Sequence, residues 1–392
     1  MIDVAEAVAR IVRAFSPVEA ETEGIAHLSG RVPAEDIRAK ADQPPHPLSA
    51  MDGYAVRLAD SGPRHVIGSA PAGHPFAGRV GQGEAVRIFT GGVVPEGADA
   101  IVIQEDARRE DETAHFAEAD ASRGHIRAAG LDFKAGQVLA KAGKRLTPRD
   151  LALLAAGDVA EVKVRRRPRV AVASIGDELS RPGAPRKPGG IPASSGYGLS
   201  AMIQAWGAAP CDLGILADNQ AEIAAIADAD ADLLITLGGA SVGDHDLVRA
   251  ALAGKDFALD FWKVAMRPGK PLIFGRLGKT PLLGLPGNPV STLVCAILFV
   301  RPAIDAMLGA ASELPLLSAR LAAPLPKNGP RQDYLRARLF RRDGELWTEA
   351  FPVQDSSMLR VFAESDCLIV RAPGAAEVGL GEPVDVIGLD AN

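Results

Sequence analysis

Residues 233–246 read LLITLGGASVGDHD, an apolar run that breaks into a glycine-rich loop and ends among two aspartates. The uninterrupted run Leu233 to Leu237 suits a strand buried on both faces. Glycines directly behind such a strand, here Gly238, Gly239 and Gly243, let bare backbone N–H groups approach a phosphate. Asp244 and Asp246 would repel that anion unless a hard cation lies between. The stretch therefore predicts a strand end that holds a phosphate and a divalent cation together.

The flanking sequence repeats the pattern. From Arg169 to Leu308, the apolar runs RVAVASI, CDLGIL, DLLITLG, PLIFGRL and TPLLGLP alternate with GLSAMIQAWG, NQAEIAAIADA, DLVRAAL and VSTLVCAILFVRPAIDAML, which have helical spacing. Such alternation predicts a three-layer α/β unit with a mainly parallel sheet, in which ligands bind at the carboxyl ends of the strands. Gly176-Asp177-Glu178 follows one predicted strand, and PGNPVST follows another, with Pro289 suited to open a helix. Glu178, Asp244 or Asp246, and the helix start at Val290 to Thr292 are thus expected to share one pocket. Lys263, Arg267 and Lys270 in FWKVAMRPGKP form either an oxyanion clamp or a solvated basic strand.

A chain of 392 residues exceeds one hydrophobic core and favours two to four domains. With 43 basic and 49 acidic residues the net charge is −6, which gives no general attraction to nucleic acid or an anionic membrane. Any anion site must be local. Cys211, Cys295 and Cys367 lie far apart in apolar stretches and read as core residues of a reducing compartment. The opening MIDVAEAVARIVRAF has the spacing of an amphipathic helix ending before Pro17, not of a signal peptide. The apolar run 290–300 is too short to span a bilayer. A cytoplasmic protein with no membrane or nucleic-acid partner is expected.

Outside the α/β unit, residues from about Arg38 to Phe133 are rich in short extended runs, such as AVRIF and AIVIQED, and predict a β-rich domain. TPRDLALLAAGD reads as a helix capped by Thr147 with Pro148 in its first turn. The basic run RRRPR over 165–169 marks a change of domain. From about Glu313, YLRARLF, ELWTEAF, CLIVRA and PVDVIG predict a small C-terminal β domain. Two motifs in the β-rich region, HPLSAMDGYAVR with Asp52 and FTGGVVPEGADAIVIQED with Thr90, are compatible with ordinary turns before strands. Neither a GxxxxGK[ST] nor a GxGxxG pattern occurs, and the histidines lack metal-ligand spacing.

Taken together, SAMDGYAV, TGGVVPEGADAIVIQED, GDEL, GGASVGDHD, FWKVAMRPGKP and GLPGNPVS stand in the order and approximate spacing of one family. The chain resembles the MoeA family of molybdopterin molybdenumtransferases, related to the E domain of gephyrin, over almost its whole length. The resemblance implies a split N-terminal helical and linker region (1–38 plus 134–167), a β-rich domain (39–133), a MogA-like molybdopterin-binding α/β domain (168–312) and a C-terminal β domain (313–392). It implies an elongated homodimer with a shared active-site cleft, and possible contact with a MogA-type adenylyltransferase. The implied reaction inserts molybdenum from molybdate into adenylylated molybdopterin, with magnesium, and releases AMP.

Carried over residue by residue, the resemblance makes Asp52, Glu178, Asp246, Lys263, Arg267 and Lys270 the catalytic set, with Glu178 and Asp246 on the metal. Asp52 and Thr90 would reach a partner subunit's pocket, with Asp132 along the same cleft. Ser195, Asp218, Gly238, Gly239, Ser241, Gly243, Pro286, Gly287, Asn288, Pro289 and Ser291 would contact the substrate, and Arg336 and Ser356 would face it from the C-terminal domain. The chain departs from the family pattern at His46-Pro47-Leu48, Ile175, Ser195 and Arg267. The alternative to the enzyme is a divergent paralogue that binds molybdopterin and scaffolds cofactor assembly. A stand-alone adenylyltransferase of the MogA type would account for the α/β region only.

Overall fold

The computed structural model describes residues 1–116, 123–239, 251–252, 256–311 and 314–389. Its central unit is a six-stranded sheet formed by β1 (Arg169–Ile175), β2 (Ala209–Leu216), β3 (Leu233–Leu237), β4 (Phe257–Trp262), β5 (Ile273–Leu277) and β6 (Thr280–Leu285), in the order β2-β1-β3-β6-β5-β4. The strands β2, β1, β3 and β6 run parallel, while β5 and β4 are antiparallel additions at one edge. The apolar run that opened the sequence reading is β3, in the middle of the sheet, and all of its residues are buried.

Helices pack on this sheet. α1 (Val4–Arg13) begins at Asp3, whose carboxylate accepts the Glu6 N–H at 2.7 Å. α2 (Pro148–Ala156) belongs to the split region, α3 (Ser195–Ala205) follows β1, and α4 (Pro289–Leu308) follows β6. α1 buries Val4, Ala7 and Ile11 in the same core as Phe299, Val300, Ala303 and Ile304 of α4. Its first residues also bridge to the α/β unit, since Ala265 N–H donates to the Ile2 carbonyl at 2.8 Å. Among the described residues α4 alone is long and apolar enough to cross a membrane, with 20 residues rather than the run of 290–300, and 89% of its most apolar window is buried inside the protein. Its composition is therefore that of a core helix.

The split region, expected to be helical, carries paired strands as well. Ala20–Gly24 pairs antiparallel with Glu161–Arg165, and Ile37–Arg38 with Val138–Ala140, around α2. The difference has a local reason in Glu161–Arg165, where buried Val162 and Val164 alternate with exposed residues, the period of a strand and not of a helix. The β-rich domain is a six-stranded sheet in which Gly53–Val56 lies between Ala100–Ile103 and Glu84–Ile88. Gly53 is required there, because a Cβ would lie 2.0 Å from the Val102 carbonyl oxygen.

In the C-terminal domain β7 (Leu316–Leu321), β8 (Gln332–Arg342), β9 (Glu345–Ala350), β10 (Cys367–Arg371) and β11 (Pro383–Gly388) pair in the ring β8-β9-β7-β11-β10-β8. Closure into a small barrel pairs both sides of every strand. The strand Met266–Arg267 of the α/β unit joins β8 beside Gln332 and Asp333, which ties the two units by backbone hydrogen bonds. At another junction Arg166 forks onto Asp232 at 2.7 and 2.8 Å and reaches Glu19 at 2.7 Å. The three cysteines are free; Cys295 and Cys367 are buried as expected, but Cys211 is exposed because it lies on the edge strand β2.

Two outcomes test this packing. Phe299→Ala empties a fully buried site in α4, and urea unfolding should show a loss of about 3–5 kcal/mol. In α2, burial pulls the Asp150 carboxyl upward, but hydrogen bonds from Lys144 and Thr147 outweigh it and hold the pKa at about 2. A depressed folded-state value means that this stability is present above pH ~4 and lost as pH falls through 2. Relative to Asp150→Asn, the wild type should lose on the order of 1–2 kcal/mol across that window, read by unfolding at fixed ionic strength.

Candidate functional site

Parallel neighbours end on the same edge, so the loops after β1, β3 and β6 converge. They enclose a cavity of about 630 Å³ together with the start of α3 and the segment after β2. Of the residues expected at the site, Glu178, Ser195, Asp218, Gly238, Gly239, Pro286, Gly287, Asn288 and Pro289 all line it. The loops can approach because they lack side chains at the contact. Gly238 has φ +88°, and a Cβ there would lie 2.6 Å from the Ile175 carbonyl oxygen. A Cβ on Gly287 would meet the Gly238 Cα at 3.6 Å, so the β3 and β6 loops touch backbone to backbone.

α4 begins at Asn288, with Pro289 in the first position, as the sequence signal predicts. The donors of its first turn are partly committed. Val290 N–H donates to the Ser356 carbonyl at 3.0 Å and Thr292 N–H to the Asn288 carbonyl at 2.9 Å. The Thr292 hydroxyl donates to the Pro286 carbonyl at 2.6 Å and fixes the loop onto the helix. Among the described residues this leaves the Ser291 N–H without a partner, with the positive end of the helix dipole behind it. The Ser291 side chain itself is buried and does not line the cavity.

Two described carboxylates face the cavity, Glu178 and Asp218. Glu178 crosses the face of Gly176, where a Cβ would fall 2.5 Å from its carboxylate oxygen. Asp218 is held by its own backbone N–H, which donates to Asp177 at 3.3 Å. Hard oxygen donors in such small number suit a magnesium ion that completes its shell with water and phosphate. No group of three or more potential metal-ligating side chains occurs among the described residues. Ser241, Gly243, Asp244 and Asp246 lie outside the described residues.

The basic trio disperses. The Lys263 ammonium stands 3.8 Å from the Trp262 ring centroid, and Arg267 forms an ion pair with the buried carboxylate of Asp333. Neither lines the cavity, whereas exposed Lys270 adjoins Pro271, which does. Arg336 is 1% exposed, and burial lowers its pKa, with Asp355 opposing that shift and Arg267 adding to it. Its guanidinium donates to the Asp355 carbonyl at 3.2 Å, and its Nε has no partner among the described residues. Ser356 accepts from Asn288 Nδ2 at 2.9 Å, so the barrel loop clasps the start of α4 and its neighbour Ser357 reaches the cavity.

The β-rich domain keeps its polar residues away from this cavity within one chain. Asp52 accepts the Thr90 N–H at 2.7 Å and its hydroxyl at 2.8 Å, and these bonds lower its pKa. Asp132 lines a different cavity of about 380 Å³, beside Phe133 and Gln137. Sequence reasoning missed Ser357, Pro271 and the segment Ile191 to Ser194 as lining residues. Ser357, Pro271 and Ser194 are each adjacent in sequence to a chosen residue, but Ile191 to Ala193 carry no comparable signal.

Comparison with known proteins agrees along the chain. Family models match at residues 2–157 (MoeA N-terminal region, domain I and II), 171–306 (probable molybdopterin binding domain) and 318–389 (MoeA C-terminal region, domain IV). The chain is 38% identical over 380 residues to a Haemophilus influenzae protein named molybdopterin molybdenumtransferase, with 94% of each covered. It is 35% identical over 396 residues to molybdopterin molybdenumtransferase 2 of Mycobacterium tuberculosis, covering 97% of this chain and 96% of that one. The crystal structure of a molybdopterin biosynthesis MoeA protein from Pyrococcus horikosii matches with a TM-score of 0.85 and 30% identity, covering 100% of both chains. With its loops gathered at the strand ends and all three of these regions present in order, the chain belongs to the MoeA family.

Proposed function

We infer that the chain is a molybdopterin molybdenumtransferase of molybdenum cofactor biosynthesis, the activity for which its relatives are named. The observation that carries this reading is the single cavity in which Glu178, Asp218, the Gly238-Gly239 loop and the start of α4 meet. We further propose that the substrate is adenylylated molybdopterin, that molybdate supplies the metal, and that AMP leaves. Both partners in that reaction are oxyanions, and the site offers them backbone donors and a helix start rather than a covalent nucleophile.

In this proposal the loop backbone and the Ser291 N–H hold the phosphate, while Lys270 adds charge at the rim. Glu178, with Asp246, would hold magnesium, which when bound supplies charge neutralisation between carboxylate and phosphate. Asp218 orients the ligand from the segment after β2. The enzyme is taken to act as a cytoplasmic homodimer with a cleft shared between subunits. What supports the shared cleft is that Asp52 is held in place by two hydrogen bonds from Thr90, yet neither residue lines the cavity of its own chain. A MogA-type adenylyltransferase is the proposed source of the substrate.

The purified protein, given adenylylated molybdopterin, molybdate and magnesium, should release AMP and form active cofactor. Glu178→Gln should lower that turnover by about 10²-fold without changing thermal unfolding. Tight pterin binding without turnover by the wild type would favour the scaffolding role instead. Sedimentation at micromolar concentration should give a dimer, and a monomer that turns over at full rate would refute the shared cleft.

A further inference from the structure

At the opposite end of the sheet from the main cavity lies a separate cavity of about 330 Å³, where the segment after α1, the hairpin between β5 and β6 and the last turn of α4 meet. Asp232, which lines it, directly precedes β3, and Thr280 and Pro281, which also line it, begin β6. The main cavity sits at the far ends of those two strands, and the two cavities share no residue. A volume of this size falls at the lower end of the range that small-molecule sites occupy, roughly 300–1,000 Å³.

The floor is apolar and held in place by the fold. Phe15, Val18, Pro281 and Met307 supply it. Val18 N–H donates to the Met307 carbonyl at 2.8 Å, which ties the segment after α1 to the end of α4. Met307 is buried and Phe15 packs against the same core, so neither side chain has to be ordered when a ligand arrives.

The rim carries positive charge without a counter-ion. β5 and β6 are joined by a two-residue turn, Gly278-Lys279, between the paired Leu277 and Thr280, and Gly278 takes it at φ +57°. This tight hairpin brings Arg276 and Lys279 to the cavity together. Among the described residues the Arg276 guanidinium has only long hydrogen bonds, to the carbonyls of Lys279 at 3.4 Å and Ala14 at 3.5 Å, and neither Arg276 nor Lys279 forms an ion pair. Asp232 does not neutralise them, because its carboxylate takes the Arg166 fork at 2.7 and 2.8 Å and the Arg169 N–H at 2.7 Å. In a chain of net charge −6, the two cations therefore give this concave site a local positive potential. Ser16 and Thr280 add hydroxyls that can donate.

We propose that this cavity is a second binding site, for a small organic oxyanion whose apolar body lies on Phe15, Val18 and Met307 while its charged head meets Arg276 and Lys279. A bare inorganic anion would leave the floor unused, and an uncharged apolar molecule would leave both cations unmet. Carboxylate and phosphate heads share this chemistry, since a guanidinium pairs with either. No residue of the main cavity takes part, so the site stands or falls apart from molybdenum transfer.

Methyl NMR of the full chain with isotope-labelled methionine reads the floor directly, because Met307 lines it, and Met307→Leu identifies its signal. The chain is titrated with phenyl phosphate, phenylacetate, inorganic phosphate and benzyl alcohol. At least one of the two phenyl anions should move the Met307 signal to saturation, and the anion that does so names the head group. Inorganic phosphate and benzyl alcohol, each lacking one half of the ligand, should bind on the order of tenfold more weakly. Arg276→Ala and Lys279→Ala, both at exposed positions of the hairpin, should each weaken the phenyl anion on the order of tenfold, and Arg276→Lys should recover part of that loss. A Met307 signal that neither phenyl anion moves would overturn the proposal. So would an affinity unchanged in both alanine variants, or binding of benzyl alcohol or inorganic phosphate as tight as that of the phenyl anions.

Discussion

α4 has to be buried along nearly its whole length while its first turn stays open to the cavity, and these two demands orient the other units. Its residues from Leu293 to Val300 are apolar on every side, so no face can be left to water. The sheet covers one side and α1 much of another, which is why a helix from the start of the chain is drawn into the α/β core. Burying each large apolar side chain contributes about 1.5–3 kcal/mol, whereas an exposed ion pair contributes about 0–1. Packing therefore decides where α4 lies. The polar ties at its ends, Asn288 to Ser356 and Arg145 to Asp305, only align the barrel and the split region on a helix already fixed.

The same helix accommodates a proline that should have ended it. Pro302 has no N–H and its ring crowds the carbonyl four residues earlier. Just ahead of it the turn widens: the Arg301 N–H donates to the Ala296 carbonyl, one residue farther than in a regular α-helix. The wider turn gives the ring room, and the helix runs on to Leu308 before Gly309, with φ +65°, stops it. Without this continuation Asp305 would not reach Arg145 at 2.8 Å, and the split region would lose one of its ties to the α/β unit.

Local patterns made much of this legible. The strands of the parallel sheet could be read because each is a short apolar run with a breaker behind it, and the start of α4 because Asn-Pro is a local signal. The gathering of Glu178, Gly238 and Gly287 followed from topology, since neighbouring parallel strands end together. What could not be read depends on contacts distant in sequence. The attachment of α1 to α4, the closure of the C-terminal barrel through β8 and β10, and the burial of Arg336 leave no local trace. Nor could spacing tell Arg267 as a ligand clamp from Arg267 as the partner of Asp333, because that partner is 66 residues away.

That last distinction bears on the anion site proposed for the cavity. Asp333 is 4% exposed, and a carboxylate so placed needs a cation close by, because its desolvation outweighs what an exposed pair would gain. The charge of Arg267 is thus largely committed to Asp333, as the Lys263 ammonium is drawn to the Trp262 ring and the Arg336 guanidinium into the barrel. Within one chain, the described groups that a phosphate in the cavity would meet are the backbone of the glycine loops, the hydroxyls of Ser194, Ser195 and Ser357 and the start of α4, with Lys270 at the rim. Backbone donors already fixed by the fold lose no side-chain entropy when they bind, and they recognise where an oxygen sits more than how much charge it carries. A site of this composition, if it holds the proposed ligand, would discriminate oxyanions by shape, and the acidic residues around it would limit how much bare negative charge it accepts.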